Sequence, residues 1–434
     1  MKNKKVVSII LIVVSLVLII ASLLIVFLVL PENISMYGFE FRKDSEVIDM
    51  SGVYVADIDE LLNNLPRFEN AQTVTFGDQA ISYADKQKLM ESFPNINFEI
   101  KVYYDIYGKQ IAEDAETIDL SDTEINENLI NELFVLYNLK EVNLFNHNLS
   151  KDEQLNLQEQ YPNVTFKWEV EILSEKVDYS VKELNLSNKK INDIQDFTRS
   201  LKLLKNLEKL DMSNTNLSNE ELDNLRKMFP NVRIDWVVHL GKWSLRTDAV
   251  AFSVLIVNYD YRRMTEKDIE VLKYCTELQA LDLGHQSITD ISVIGEYLPN
   301  LRVLILADNK IKDISPLANL KHLHYLELFM NDITDLTPLA SCTELVDLNI
   351  CFNYRLSNIE PILNLPLLER LWLIHDNISN SSYQLIRETY PNVKLVTTGN
   401  GSTNSGWRTH ERYFEMINMY RNNYISDVFL KYDR

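Results

Sequence analysis

His322 and His324 stand as an H-x-H pair, two imidazoles that could be offered to one metal ion. Asp290, Asp313 and Asp335 recur at a regular interval, with Asn358 at the matching place, and such carboxylates could serve acid–base work. Cys275, Cys342 and Cys351 are the only thiols. Spacing argues against chemistry in each case. The aspartates sit in a repeated I-x-D-I/L phrase, where a short carboxylate hydrogen-bonds the following backbone of a turn. One histidine precedes a strand and the other lies within it, an arrangement that more often marks a surface than a metal site. Cys275 and Cys342 both begin C-T-E-L and fall three repeats apart, about 14 Å at ~4.8 Å per strand, too far for a disulfide. They are expected as buried structural thiols. The sequence contains no H-E-x-x-H, C-x-x-C, G-x-S-x-G, G-x-x-x-x-G-K-[ST] or G-x-G-x-x-G. No catalytic constellation emerges, and a non-enzymatic chain without cofactor or metal is expected.

The elements that carry these residues are repeats. LRVLILADN (301–309), LHYLELFMN (323–331), LVDLNICFN (345–353) and LERLWLIHD (368–376) follow one another at 22, 22 and 23 residues. This is the L-x-x-L-x-L-x-x-N pattern of leucine-rich repeats, and Leu278 to Ile291 is a fifth copy with Gln286 at the Asn position. Apolar positions 4 and 6 flank a variable position 5, the period of a strand buried on one face. One such strand cannot bury its face alone, so the units must stack into a parallel sheet. The residues at position 9, Asn309, Asn331, Asn353 and Asp376, are expected to form a ladder that satisfies turn backbone groups. In IKDISPL (311–317) and ITDLTPL (333–339), Ser315 and Thr337 are expected as N-caps, with the following proline at the first helical position.

Looser copies begin near Ile118, Leu139, Val181 and Leu207, with Thr123, His147, Lys189 and Thr215 at the ladder position. His147 reads as a ladder or turn residue. FPNINF (93–98), YPNVTF (161–166) and FPNVRI (229–234) add a 68-residue period. Each follows a helical stretch such as Asn219 to Met228 and precedes an alternating run. The third part of each module is a strand-rich coil or a hairpin. YPNVKLV (390–396) looks like the closing strand.

Strand positions 3, 5, 7 and 8 should face the concave side. There Val303, Ile305, Tyr325, Phe329, Met330, Phe352 and Trp372 make an apolar, aromatic stripe, with Glu327, Asp347 and Arg370 beside it. Exposed stripes of this composition mark protein-binding surfaces. The alternative is internal. After a polar linker (397–406), residues 413, 416, 417, 420 and 424 have helical apolar spacing, and this tail could cover the stripe.

Val6 to Leu30 runs 25 residues without a charge, about 37 Å as a helix, after Lys2, Lys4 and Lys5. The positive-inside rule then predicts an uncleaved single span with the repeats outside the cell, since the run exceeds a signal-peptide core and offers no A-x-A site. The formal charge is −20, or −23 without those three lysines, which disfavours nucleic acid and anionic polymers as partners. Hydrophobic residues make up 46%, ample for a core.

The 22-residue units and D-I-S-P-L-A turn (313–318) resemble the internalin-type bacterial leucine-rich repeats. KWSLRTDA (242–249), LKYC (272–275) and GWRTHERY (406–413) resemble exported leucine-rich repeat proteins of low-GC Gram-positive bacteria. The resemblance implies protein recognition through the concave face, although no L-P-x-T-G signal is present. The expected fold is α/β, a leucine-rich repeat solenoid with an N-terminal transmembrane helix. Its parts are a cytoplasmic N-terminus (1–5), a span in the lipid bilayer (6–30), a linker (31–44), divergent repeats (45–240), regular repeats (241–396) and a linker with amphipathic tail (397–434). The expected role is recognition of a protein ligand at the cell surface. The alternative is an envelope scaffold that organises another membrane protein of the same cell.

Overall fold

A computed structural model describes residues 11–22, 32–79, 81–254 and 263–433. The chain divides into two compact units, residues 1–180 with 199–205, and residues 181–198 with 206–434. The divide falls inside the stretch expected as one divergent array.

In the first unit, β1 (Asn33–Met36) and β2 (Phe39–Arg42) form an antiparallel hairpin. The parallel strands β3 (Val47–Asp49), β4 (Thr73–Thr75) and β5 (Asn97–Glu99) follow. A second hairpin, β6 (Tyr103–Ile106) and β7 (Lys109–Ala112), leads to the parallel trio β8 (Thr117–Asp119), β9 (Glu141–Asn143) and β10 (Thr165–Lys167). A third hairpin, β11 (Glu169–Ile172) and β12 (Glu175–Asp178), completes the unit. The open question about each module is thereby answered. The residues after each Pro-Asn phrase supply the third parallel strand, and a hairpin comes after it. Composition hid the turns. Tyr37-Gly38, Tyr107-Gly108 and Leu173-Ser174 all have two consecutive positive φ angles, the backbone that two-residue hairpins require. Leu173-Ser174 carries no glycine or asparagine to announce it.

The second unit begins with β13 (Glu183–Asn185), β14 (Lys209–Asp211) and β15 (Arg233–Asp235), then the hairpin β16 (Val237–Leu240) and β17 (Trp243–Arg246). A seven-stranded parallel sheet follows in sequence order. Its strands are β18 (Ala251–Ser253), β19 (Ala280–Asp282), β20 (Val303–Ile305), β21 (Tyr325–Glu327), β22 (Asp347–Asn349), β23 (Arg370–Trp372) and β24 (Lys394–Val396). Helices Tyr83–Ser92, Lys151–Gln160 and Asn219–Met228 start on Ser82, Ser150 and Ser218, whose hydroxyls accept from the N3 amide. Ser150 and Ser218 form full capping boxes with Glu153 and Glu221.

The regular coils return instead through short 3-10 turns, Ser315–Asn319 and Thr337–Ser341. Their N-caps are Ile314 and Leu336, not Ser315 and Thr337. The aspartates do the capping work: the amides of Ser315 and Thr337 donate to Asp313 Oδ1 (2.7 Å) and Asp335 Oδ1 (2.8 Å). Adjacent coils approach closely here. A Cβ on Gly295 would lie 2.3 Å from the Pro316 carbonyl oxygen, so only glycine fits.

The ladder is present. Asn331 Oδ1 accepts from the Ile311 amide (3.0 Å), and its Nδ2 donates to the carbonyls of Leu306 (2.9 Å) and Leu328 (3.0 Å). Asn309 holds Ile288, Leu283 and Leu306 in the same way, and Asn353 holds Ile333, Leu328 and Ile350. In the looser copies the amide shifts one residue on. Asn148 and Asn216 clamp the backbone of Ile125 and Ile191, while His147 takes a turn amide from Leu149. The residue before each ladder Asn is left-handed: Asp308, Met330 and Phe352 have φ of 51°, 57° and 59°.

The expected span fares differently. Residues 11–22 are helical and exposed, residues 6–10 and 23–30 lie outside the described residues, and no helix among the described residues is long and apolar enough to cross a membrane.

Asp376 ends the ladder with a carboxyl where an amide belongs. Its Oδ1 accepts from the Asn353 amide (2.8 Å), while the buried Oδ2 has no partner. Burial pushes its pKa up to about 8. The unfolded chain releases this proton near the ordinary value of 3.8. The native state binds it up to about 8, so stability declines as pH rises between the two and levels off above. Asp376→Asn should therefore stabilise the protein by an amount that grows from pH 5 to pH 8, on the order of 1 kcal/mol per pH unit. Denaturant titrations at both pH values check this, and a pH-independent difference would refute it.

Candidate functional site

The stripe expected on the concave face is assembled by the seven-stranded sheet, but it does not face solvent. Val303, Ile305, Tyr325, Phe329 and Trp372 are buried, as are Glu327, Asp347 and Arg370. The cover is the chain's own C-terminal segment. Trp407, Met416, Met419 and Phe429 pack into the same apolar cluster as Val303, Ile305, Tyr325, Phe329 and Trp372. Of the two occupants left open by the sequence, the tail is the one present, so the expectation of a free partner-binding stripe is corrected.

Met330 and Phe352 depart from the stripe for a local reason. Both occupy the left-handed position, which turns the chain out of the strand, and strand alternation no longer predicts their direction. Met330 remains 44% exposed. Phe352 is half-buried and packs against Tyr354 and His375.

The tail consists of the linker, the helix Glu411–Asn422 and the short helix Asp427–Leu430. Trp407 is its anchor. Its ring centroid lies 4.9 Å from that of Trp372 and 5.3 Å from that of Tyr325, with the Arg370 guanidinium carbon 4.5 Å from its centre. Its indole N–H donates to Glu327 Oε1 (2.6 Å), which also accepts from the Tyr325 hydroxyl. Burial pushes the Glu327 carboxyl up and the Tyr325 hydroxyl far up, so the phenol stays protonated as a donor.

The second anchor is ionic. Asp347, fully buried, takes two hydrogen bonds from Arg370 on the next strand (2.7 and 2.6 Å) and two from Arg412 of the tail helix (both 2.7 Å). Arg412 also reaches Glu369 (2.7 Å) and the Tyr432 hydroxyl (2.9 Å). Burial alone would lower the Arg412 pKa, but the pairing with Asp347 outweighs it and the net shift is upward.

The linker is held by backbone contacts. Trp372 Nε1 donates to the Asn404 carbonyl (2.9 Å) and Asn349 Nδ2 to the Ser402 carbonyl (2.9 Å). Asn423, the left-handed residue ending the tail helix, accepts from the amides of Val250 (2.9 Å) and Ala251 (3.2 Å) at the edge strand β18. A small cavity of about 50 Å³ remains beneath the helix, bordered by Asp282, Glu327, Arg408 and Tyr420. Burial pushes Asp282 up to about 6. Sequence reasoning missed Trp407, Arg412 and Asn423 as the gripping residues. The apolar spacing that signalled the helix was visible, but Arg412 looks like a solvated charge until Asp347 is placed opposite it.

Cys275, Cys342 and Cys351 are buried thiols, and burial pushes them up to about 12, 11 and 12, so they stay protonated and unreactive.

Residues 299–341 match the family model for leucine-rich repeats in two copies. No curated protein matches the chain. Among solved structures, the chain is similar to an internalin C2 of Listeria monocytogenes str. 4b F2365, at 24% identity over 53% of this chain and 87% of that one, TM-score 0.30. A second internalin of the same organism is 18% identical over 79% of this chain and 88% of that one, TM-score 0.31. A Leptospira interrogans leucine-rich repeat protein is 17% identical over 81% and 90%, TM-score 0.30. The repeat assignment itself rests on strand register and the asparagine ladder.

Arg412→Ala would leave Asp347 with one cation in a buried site, and Asp347→Ala would leave the buried Arg370 without its carboxylate and Arg412 with Glu369 alone. Each single change should destabilise by on the order of 3–5 kcal/mol. The double variant should lose less than the sum, because both remove the same interaction. Denaturant unfolding of the four proteins checks this; additive losses would mean that Arg412 does not grip Asp347.

Proposed function

We propose that this chain is a non-enzymatic protein-recognition scaffold whose concave face is a polypeptide-binding groove, closed at rest by its own tail. One observation carries the reading. The groove takes a polypeptide through an aromatic slot between Tyr325 and Trp372 and through the buried carboxylates Glu327 and Asp347, which match an indole N–H and a guanidinium. Aromatic and arginine anchors desolvated at the centre of a contact are what hold protein interfaces together. A protein ligand then engages by displacing the tail and presenting an aromatic and a cationic side chain of its own. The acidic net charge of −20 fits such a ligand better than nucleic acid.

The proposal includes a membrane tether through residues 6–30 with the repeats outside the cell. It is supported by the charge-free run after Lys2, Lys4 and Lys5. The alternative, a scaffold that organises another membrane protein of the same cell, is favoured by the burial of Val303, Ile305, Tyr325, Phe329 and Trp372 in the resting chain.

A synthetic peptide of residues 397–434 tests the groove in trans. Trp407→Ala in the full-length chain should loosen the resident tail. The peptide should bind that variant saturably and the parent at least tenfold more weakly. A folded variant that ignores the peptide would remove the groove from the account. Protease added to intact cells should digest the repeats; their full protection would defeat the extracellular placement.

A further inference from the structure

The end of the tail meets the repeats a second time, away from the aromatic slot. Asp433 arrives beside His322 and His324, which flank the first leucine of the coil containing β21, and beside Glu344, the matching position one coil later. His322 Nδ1 lies 3.1 Å from Glu344 Oε2. His324 Nε2 lies 3.2 Å from the same oxygen and 3.5 Å from Asp433 Oδ1. Donor atoms of His322, Glu344 and Asp433 all fall within 4.8 Å of one another.

These separations have a geometric meaning. Zinc bonds of ~2.0–2.1 Å in a tetrahedron set neighbouring ligand atoms roughly 3.3 Å apart. The His322–Glu344 contact of 3.1 Å is close to that edge, and Asp433 lies within 4.8 Å of both. The donor set, an imidazole and two carboxylates drawn from two coils and the tail, is of the kind that binds zinc-class ions. We propose that His322, Glu344 and Asp433 form a binding site for a divalent transition-metal ion of the zinc class, with His324 at its buried edge, fastening the tail to the repeat sheet.

The surroundings fit. The His324 side chain is fully buried at the edge of the cluster. Tyr432 covers that ring at 5.6 Å between centroids. Arg302 is the competing cation. Its Nε donates to Asp433 Oδ1 (2.9 Å) and its Nη2 to Oδ2, so a metal ion would take the remaining lone pairs of that carboxylate. The site would stabilise the closed tail by mass action, whether or not the groove ever takes a partner.

Zinc chloride titrated calorimetrically into the chelator-treated full-length chain should show one saturable site. Cobalt(II) in its place should give the intense visible absorption of tetrahedral coordination. His322→Gln, at a half-exposed position, and Asp433→Asn should each weaken zinc binding at least tenfold. His239→Gln, in the β16–β17 hairpin, should leave it unchanged. No saturable site in the parent protein, or equal affinity in all three variants, would overturn the proposal.

Discussion

A carboxylate at the centre of a sheet face needs a cation, and Asp347 needs more than the sheet supplies. Arg370 on the neighbouring strand satisfies one edge of it. The other edge is satisfied by Arg412, 65 residues along the chain. Removing a carboxylate from water costs several kcal/mol, recovered only when paired charges and hydrogen bonds replace the lost solvent. The closed face therefore depends on the tail returning. Around this pair the aromatic slot excludes water, and the same exclusion raises Glu327 and Asp282 toward their neutral forms. A buried ion network of this kind adds little net stability compared with apolar packing. What it provides is register, because Arg412 can meet Asp347 in only one placement of the helix.

The sheet was legible in the sequence because its information is local and repeated. Each copy from Leu278 to Asp376 spells its own strand and ladder residue, so five weak signals reinforce one another. The hairpins were less legible. Leu173-Ser174 adopts a left-handed turn that neither residue favours, and the surrounding strands impose it. In the looser repeats, Asn148 and Asn216 stand one place beyond the expected position because those coils are longer, and the consensus spacing pointed at His147 and Thr215 instead.

The stripe illustrates a different limit. Strand period correctly turned Tyr325 and Trp372 away from the repeat core, but period says nothing about what lies on the far side. An aromatic face suits a foreign ligand and a resident tail equally well. The decision rests on pairings across 32 to 173 residues, from Trp372 with Asn404 to Val250 with Asn423, which no local pattern encodes. Resemblance to internalin-type repeats implied recognition through the concave face, which here the tail covers.

Hydrogen exchange across the tail reads the closed face without a partner or a mutation. Amides in the helix Glu411–Asn422 would be only marginally helical in an isolated segment of that length, so their protection reports docking. The account predicts that they exchange slowly, at rates comparable to the strand amides of Tyr325–Glu327 beneath them. Exchange of the tail at unfolded-chain rates, with the strands still protected, would show an open face and contradict it.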